Sequence, residues 1–287
     1  MMRMRAMLRE ACRVVKRGRG ILIPVSDSFR DVAVEAALQA GAFLRSRFGA
    51  RHDISYKGSP TNLVTEMDRG AETIILDAIH ARFPGHAVLA EESGARSGTE
   101  PYRWIVDPLD GTTNYAHGLP IYCVSIALEQ HGELAVGVLY DPSRDECFVA
   151  ERGRGATLND APLRVSATPT LGLSLLGTSY PNDLRTAPRN NLAEHAALIQ
   201  RCRSVRSLGS AALGLAAVAA GRLDGYWEQR LGAWDIAAGA LLIREAGGIV
   251  TAVHGAPLDL AEPTIAASNG PIHSDLLQAL KEVAATT

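Results

Sequence analysis

The chain has 287 residues, 47% of them hydrophobic, which is enough for one large core or two smaller ones. Its formal net charge of −2 predicts no general affinity for nucleic acid or for an anionic membrane, and its longest apolar stretches are too short or too polar to span a bilayer. The four cysteines (Cys12, Cys123, Cys147 and Cys202) show no paired spacing, which argues against a disulfide framework. This predicts that the protein is located in the reducing cytoplasm.

The first 20 residues are basic, with seven Lys or Arg residues against one acid, Glu10. This Arg-rich, acid-poor character is typical of a transit peptide or a basic arm. However, Pro24 interrupts the short apolar run that follows, so no sufficient apolar region is present. We therefore predict that residues 1–24 are an extension outside the core. Residues 25–287 are predicted to form one domain, because no repeat or low-complexity linker divides them.

The first half of that domain is predicted to contain two helices and then a series of strands. Apolar residues at helical spacing predict helices over 28–48 and 68–83. Short apolar or β-rich runs predict strands at 87–90, 104–106, 122–128, 134–140, 146–150 and 162–165. Gly132 lies in a short loop between two of these strands, and Asn159-Asp160 marks a later turn.

In the second half of the domain, predicted helices alternate with predicted strands. Helices are predicted near 192–201, 211–220 and 234–245, with a last helix starting near Pro271. Strands are predicted at 225–227, 249–253 and 264–267. This alternation of helices and strands predicts an α/β fold.

Residues 105–115 are the most informative segment. They place Asp107 and Asp110 at the end of a predicted buried strand, where α/β enzymes bind ligands. Pro108 favours an extended Asp107, and a turn after it would aim Asp110 at the same point. Gly111 and the threonines after it can open a helix whose free N–H groups suit phosphate. Asp-Pro and Asp-Gly pairs are also common in ordinary turns. However, carboxylates beside free amides favour metal-assisted phosphoryl chemistry.

Three further acidic positions could complete such a site, although each has an ordinary alternative. Glu91 follows a predicted strand and could belong to a solvated loop. Asp235 lies in the first turn of a predicted helix, where the helix dipole favours an acid. Asp68 could be a helix cap or a first-turn acid. Because all these ligands are oxygens, they favour a hard cation such as Mg²⁺ over zinc.

Together these residues resemble the inositol monophosphatase family. Its two signatures stand at Trp104–Asn114 and Trp234–Gly239, and Glu91-Glu92-Ser93 precedes the first. The resemblance runs from about residue 28 to residue 280 without a large insertion. It implies an α-β-α-β-α sandwich of the inositol monophosphatase and fructose-1,6-bisphosphatase type. It also implies a catalytic domain, usually a homodimer, that hydrolyses phosphate monoesters with two or three Mg²⁺ ions.

The resemblance also implies residue roles. Metal ligands would be Glu91, Asp107, the backbone carbonyl of Leu109, Asp110 and Asp235. Glu91 and Thr112 would orient the attacking water, with Asp68 holding Thr112. Substrate contacts would come from Asp110, Gly111, Thr112, Thr113, Gly209, Ser210, Ala211, Glu228 and Asp235. Glu228 lies seven residues before Asp235, as in inositol-binding members, which favours a polyol substrate; its alternative is an exposed acid at a strand end.

The implied function is Mg²⁺-dependent hydrolysis of inositol 1-phosphate by a metal-activated water. Alternatives within the family are fructose-1,6-bisphosphatase, NADP phosphatase and histidinol-phosphatase activity. Gly-Thr-Thr at 111–113, rather than Gly-Thr-Lys, argues against relatives that act on 3′-phosphoadenosine nucleotides. A regulatory role in binding RNA polymerase or RNA is a different class, for which the basic N-terminus is the local hint. Lys57 and Arg206 would add positive charge or an interface contact, or are ordinary surface residues.

Overall fold

The computed structural model describes residues 28–50, 54–56, 63–262 and 264–284. The extension predicted at residues 1–24, Cys12 and Lys57 lie outside these described residues. The described helices are α1 (Phe29–Arg47), α2 (Glu66–Arg82), α3 (Thr112–Ala116), α4 (Leu192–Leu198), α5 (Ala211–Ala219), α6 (Ala233–Glu245) and α7 (His273–Ala284). None of these helices combines the length and the apolar character that crossing a bilayer requires.

Fifteen strands in the described part of the chain form three sheets. They are β1 (Ile54–Tyr56), β2 (Leu63–Thr65), β3 (Ala87–Ala90), β4 (Gly94–Arg96), β5 (Tyr102–Asp110), β6 (Cys123–Gln130), β7 (Glu133–Asp141), β8 (Glu146–Glu151), β9 (Gly155–Leu158), β10 (Ala161–Pro162), β11 (Leu175–Thr178), β12 (Ser204–Ser207), β13 (Gly225–Glu228), β14 (Ile249–Thr251) and β15 (Ile265–Ser268). The large sheet has the order β10-β9-β8-β7-β6-β5-β3-β4, the smaller one has the order β12-β11-β13-β15-β14, and β1 pairs only with β2.

Helices α1 and α2 cover one face of the large sheet. Ser28 caps α1 by accepting a hydrogen bond from the Asp31 N–H, and the buried stripe of this helix is mostly alanine. These small side chains let the helices approach Trp104 and Val106 of β5, which are fully buried beneath them. The outermost helix layer and the large sheet therefore share one continuous apolar core.

Helices α5 and α6 lie between the two sheets. Their close approach depends on glycines: a Cβ at Gly239 would lie 2.6 Å from the Leu215 side chain. A Cβ at Gly137 of β7 would lie 2.9 Å from the Ala238 carbonyl oxygen on α6. The small-residue character of α5 and α6 thus serves tight packing on each other and on the large sheet.

Helices α4 and α7 cover the outer face of the smaller sheet, around a third cluster that includes Trp227 and Leu276. The layers therefore follow the order helix, sheet, helix, sheet, helix. This is the predicted α-β-α-β-α sandwich, and the fold-class prediction is confirmed.

Most predicted elements are present with shifted ends, but several short strands were missed. The prediction missed β1, β2, β4, β9, β11 and β12, each of three or four residues. The strand predicted at 162–165 was wrong in extent, because β10 contains only residues 161–162 and pairs with β9 alone. The turn at Asn159-Asp160 is present, with φ values of 48° and 67°.

Candidate active site

The central feature of the site is an irregularity in β5. Asp107 pairs with Ser125 of β6, and Asp110 pairs with Cys123, so β5 contains one extra residue between the two pairs. Residues three apart on a regular strand point to opposite faces, but one bulged residue restores the same face. Both aspartates therefore face the middle helix layer. The predicted turn after Pro108 is wrong: the strand continues through a bulge, and Asp107 lies inside β5 rather than at its end.

Helix α6 supplies the third carboxylate. Asp235 lies in its first turn, and its Oδ2 accepts a hydrogen bond of 2.6 Å from the Gly232 N–H. The Ser125 hydroxyl donates to the Trp234 carbonyl oxygen at 2.9 Å and ties this helix start to β6. One oxygen each from Asp107, Asp110 and Asp235 lies within 4.8 Å of the others. We call these three residues the acidic floor.

Asp110 is held by the start of helix α5. Its Oδ2 accepts a hydrogen bond from the Ser210 hydroxyl and another of 2.8 Å from the Ala212 N–H. Ser210 is also the N-cap of α5, since its Oγ accepts from the Leu213 N–H at 3.2 Å. Ser210 is one of the predicted substrate contacts. In the structure it is only 2% exposed and its hydroxyl is committed to Asp110, so its side chain positions the floor instead.

A second hydrogen-bonded group joins helix α2 to the floor. The Thr112 hydroxyl lies 2.9 Å from Asp68 Oδ1 and 3.0 Å from the Leu109 carbonyl oxygen. Asp68 Oδ2 in turn accepts from the backbone N–H and the hydroxyl of Thr65, each at 2.7 Å. Asp68 is thus both the capping-box acid of α2 and the partner of Thr112, 44 residues away in sequence.

Glu91 reaches the same place from the neighbouring strand. Strands β3 and β5 are parallel, with Ala90 opposite Val106, so the next residues, Glu91 and Asp107, emerge side by side. The Glu91 N–H donates to the Val106 carbonyl oxygen at 3.1 Å, which continues the ladder by one bond. Glu91 lines the cleft above the acidic floor.

Burial and mutual repulsion raise the pKa values of the acidic floor. For Asp107 and Asp235 the pKa lies well above the ordinary value, first because of burial and then because of neighbouring carboxylates. Burial also raises the pKa of Asp110 to about 6, although the hydrogen bonds from Ser210 and Ala212 oppose the shift. Without a cation the raised pKa values shift these carboxylates toward their protonated forms, so binding of a cation would be accompanied by release of protons.

The donor chemistry fits a divalent metal. The acidic floor offers carboxylate oxygens alone, with Glu91 and the Leu109 carbonyl beside it, and oxygen ligands suit Mg²⁺. Among the described residues that line the cleft, Arg230 is the only basic side chain. Because buried carboxylates need a neutralising partner, a bound cation would supply the charge that the described side chains of the cleft do not.

The acidic floor opens into a cleft of about 420 Å³. Gly111, Thr113, Gly209 and Ala211, all predicted site residues, line it. We call the lining residues at or just after the ends of β11 and β13 the outer wall; they are Ser179, Tyr180, Pro181, Asn182, Glu228 and Arg230.

Glu228 is the buried acid of the outer wall. It is 4% exposed at the end of β13, so the alternative of an exposed strand-end acid is wrong. The Tyr226 hydroxyl donates a hydrogen bond to Glu228 Oε2, and the ring of this tyrosine packs against Gly177 and Gly214. Burial raises the pKa of Glu228 to about 8, with the Tyr226 hydrogen bond acting in the opposite direction.

The rest of the outer wall has contacts of two kinds: the buried Asn191 amide donates to the Ser179 carbonyl oxygen at 2.8 Å, and side-chain pairs lie near the surface. An Arg230 N–H donates to Asp183 Oδ2 at 2.6 Å, and the Gln229 amide donates to Glu194 Oε1 at 2.8 Å. Tyr180 stacks on His195 and hydrogen-bonds to it. Arg230 has a φ of 63°, a left-handed conformation that costs a non-glycine residue roughly 1–2 kcal/mol.

Sequence reasoning found the acidic floor but missed most of the outer wall. Residues 179–182 follow β11, which was not predicted because Gly177 shortens its apolar run. Strand β11 is parallel to β13, with Thr178 opposite Trp227, so this segment emerges beside Glu228. A strand predicted at 175–178 would have revealed it, since the carboxyl ends of neighbouring parallel strands meet at one edge.

Comparisons with known proteins agree with this geometry. The inositol monophosphatase family matches residues 26–285 of the chain. An inositol-1-monophosphatase of Synechocystis is 49% identical over 251 residues, 87% of this chain and 88% of the relative. The Nus factor SuhB of Escherichia coli K12 is 40% identical over 255 residues, 88% of this chain and 95% of the relative. The solved inositol monophosphatase of Anabaena (Nostoc) matches with a TM-score of 0.80 and 47% identity, over 88% of this chain and 95% of that chain.

Proposed function

This chain belongs to the inositol monophosphatase family and is a phosphatase, and from that premise we propose that it hydrolyses inositol 1-phosphate to inositol and phosphate with Mg²⁺. The observation that carries the proposal is the position of Glu228. This buried acid lines the same cleft as three carboxylates that lie within 4.8 Å of one another. A metal site next to a hydrogen-bond acceptor fits a phosphate ester whose leaving group carries hydroxyls.

Two or three Mg²⁺ ions would be held by Glu91, Asp107, the Leu109 carbonyl, Asp110 and Asp235. When bound, they supply charge neutralisation and a more acidic water. The floor is built for such ions because each carboxylate is fixed by a different element, with Asp110 anchored by α5 and Asp235 by the start of α6. This rigidity lowers the cost of positioning the reactants.

The attacking water would be oriented by Thr112 and Glu91. The Thr112 hydroxyl donates its one hydrogen to Asp68, so its oxygen can accept a hydrogen bond from the water. The Glu91 carboxylate lines the cleft and can accept the proton that the water loses. Asp68 contributes by holding the hydroxyl of Thr112 in that orientation, because Thr65 fixes Asp68 through two hydrogen bonds.

Substrate would be held on both sides of the acidic floor. Backbone N–H groups at Gly111 and Thr113 would bind phosphate oxygens, while Gly209 and Ala211 would contact the leaving group. Gly111 has a φ of 93°, and a Cβ there would lie 2.7 Å from the Ile121 carbonyl oxygen, so the turn requires glycine. Glu228 would accept hydrogen bonds from inositol hydroxyls, because Tyr226 occupies only one of its two oxygens.

A kinetic panel tests the proposal. Phosphate release from inositol 1-phosphate, fructose 1,6-bisphosphate, NADP and histidinol phosphate should be measured with excess Mg²⁺ and with a chelator. Inositol 1-phosphate should give the highest kcat/KM, and the chelator should abolish turnover. A tenfold preference for another ester would transfer the assignment to that family alternative, and undiminished turnover in chelator would contradict the metal-dependent mechanism.

The remaining parts of the proposal concern assembly and location. We propose that residues 25–287 act as one catalytic domain and that the protein is a cytoplasmic homodimer, as the resemblance and the cysteine spacing predicted. Light scattering should give twice the chain mass of 30.5 kDa. A monomeric mass at working concentration would contradict the dimer, and cell fractionation tests the location.

The Nus factor relative motivates a second candidate function. A regulatory role in binding RNA polymerase or RNA is proposed as an addition to the phosphatase activity. It predicts a salt-dependent shift of RNA that is lost on deleting residues 1–24. An RNA shift that persists without these residues, or the absence of any shift, would count against the basic N-terminus as its source.

A further inference from the structure

We propose that Arg230 is a specificity-determining residue that binds an oxyanion, a carboxylate or a second phosphate, on the leaving group of the ester. Asp183 competes with that oxyanion for the same guanidinium group. The inference rests on the proposed hydrolysis of phosphate esters in this cleft, and it concerns which leaving groups are preferred.

The charge distribution of the cleft supports the assignment. Every ionisable side chain of the acidic floor is a carboxylate, and Glu228 adds another to the outer wall. Arg230 is the single basic side chain among the described residues that line the cleft. Among the described residues, an anionic leaving group therefore has one favourable side-chain charge to meet in this cleft, and that charge is on the outer wall.

The contacts of Arg230 leave it available. Its side chain is 42% exposed, and its ion pair with Asp183 joins one terminal nitrogen to one carboxylate oxygen at 2.6 Å. A guanidinium group carries five N–H donors in a planar fork that matches carboxylate and phosphate oxygens. Asp183 is itself 43% exposed, so solvent can take its place when an incoming oxyanion displaces it.

The backbone fixes where this charge stands. Arg230 follows β13 by two residues and has a φ of 63°, a region that favours glycine. Gln229 before it is 7% exposed and bonded to Glu194, so the chain on that side is anchored. The backbone of Arg230 is therefore held in a defined turn at the rim of the cleft.

Matched pairs of substrates test the inference. Glycerol 3-phosphate and 3-phosphoglycerate differ by a carboxylate, and fructose 6-phosphate and fructose 1,6-bisphosphate differ by a phosphate. The quantity measured is the ratio of kcat/KM for the anionic member to kcat/KM for its partner. Both pairs are used because they differ in length and in the kind of oxyanion.

Arg230→Gly should lower this ratio at least about tenfold in one or both pairs, as expected for loss of a charge-assisted hydrogen bond. Glycine suits the left-handed backbone, so this variant should fold. Asp183→Asn should raise the same ratio about two- to fivefold by removing the competitor. Arg201→Ala is the matched control: Arg201 forms a similar 2.6 Å ion pair with Glu282 at 44% exposure, and this variant should leave the ratio unchanged.

The outcomes separate this inference from the proposed function. If the esters without the extra oxyanion are hydrolysed but Arg230→Gly leaves both ratios unchanged, the proposed oxyanion site is wrong while the phosphatase assignment stands. A fall in the ratio on Asp183→Asn would show that the ion pair only holds the wall, and would also overturn the inference. If wild-type protein hydrolyses no member of either pair with Mg²⁺, the proposed function itself fails.

Discussion

The acidic floor and the outer wall face the same cleft but are held in different ways. Each floor carboxylate lies on a strand or helix, and each accepts a hydrogen bond from a backbone N–H: Leu109 for Asp107, Ala212 for Asp110 and Gly232 for Asp235. Beyond the buried Tyr226–Glu228 pair, the wall has exposed side-chain pairs such as Arg230–Asp183. Its other contacts include a bond of 2.8 Å from the buried Asn191 amide to the Ser179 carbonyl oxygen.

The difference indicates how chemistry and selectivity are separated in this fold. Groups held by several backbone elements cannot move independently, which suits ligands that must share a metal. Groups held by exposed side-chain pairs, each worth about 0–1 kcal/mol, can be exchanged without disturbing the scaffold. We therefore expect changes at the floor to affect every substrate alike and changes at the wall to affect some substrates more than others.

The largest effect is expected for Asp107→Asn. Loss of this floor carboxylate should lower kcat by roughly 10²- to 10³-fold for all substrates. The fold should be kept, and in chelator the melting temperature should be unchanged or higher, because one of the repelling carboxylates is neutralised. Steady-state kinetics and thermal melts of the same preparation check this. A kcat near that of wild type would remove Asp107 from the metal site.

Glu228→Gln should have a smaller and selective effect. Above pH 8, where Glu228 is ionised, a hydrogen bond to this charged acceptor contributes ~1.5–3 kcal/mol, so kcat/KM for inositol 1-phosphate should fall roughly 10- to 100-fold. An aryl phosphate, which has no such hydroxyls, should be hydrolysed nearly as before. The matched control is Glu91→Gln, which should damage both substrates equally. If Glu228→Gln lowers both substrates equally, Glu228 belongs with the floor and the comparison fails.

The pH dependence of stability should also distinguish floor from wall. In the folded protein the pKa of Glu228 is raised from 4.5 to about 8, so the folded state binds more protons than the unfolded state between these values. Stability should therefore fall as pH rises from about 4.5 to 8. Excess Mg²⁺ should remove the pH dependence that comes from the floor carboxylates and leave the pH dependence that comes from Glu228. The difference in stability between wild type and Glu228→Gln, measured as a function of pH, isolates the contribution of Glu228. Identical pH profiles for the two proteins would contradict the assignment of Glu228 as a buried, protonated acid.

The smallest effect is expected for Ser210→Ala. Loss of the α5 cap should cost about 1 kcal/mol, or about 2–4 °C in melting temperature. Because the same hydroxyl holds Asp110, half-saturation of activity should also need several-fold more Mg²⁺. Ser28→Ala, which removes the cap of α1 far from the floor, is the control and should change stability alone. Equal Mg²⁺ dependence in both variants would show that Ser210 does not position the floor.

The acidic floor was predictable because its residues lie in short contiguous segments. Asp107 and Asp110 follow an apolar run, and Asp235 opens a helix, so each could be found from local pattern and resemblance. The bulge of β5 could not be read, because the sequence does not show which residue of the strand lacks a partner. Contacts between distant residues, such as Asp68 with Thr112, came from the resemblance alone.

The outer wall was less predictable for a physical reason. Its positions depend on β11 and β13, strands of only four residues whose stability comes from neighbours rather than from local sequence. The left-handed backbone of Arg230 is also invisible in sequence, since arginine has no preference for it. Substrate selectivity is therefore harder to predict from this sequence than the catalytic chemistry is.

Because β5 contains an extra residue, the site depends on the number of residues between Asp107 and Asp110 as well as on their chemical identity. Inserting one residue between Asp107 and Asp110, with a single residue still bulged, would turn Asp110 to the face that carries Trp104 and Val106. A carboxylate would then enter an apolar core, and the acidic floor would lose a member. Substitution at Pro108 or Leu109 does not change the number of residues and so does not turn Asp110. In this stretch, natural variation should therefore change residue identity without adding a residue.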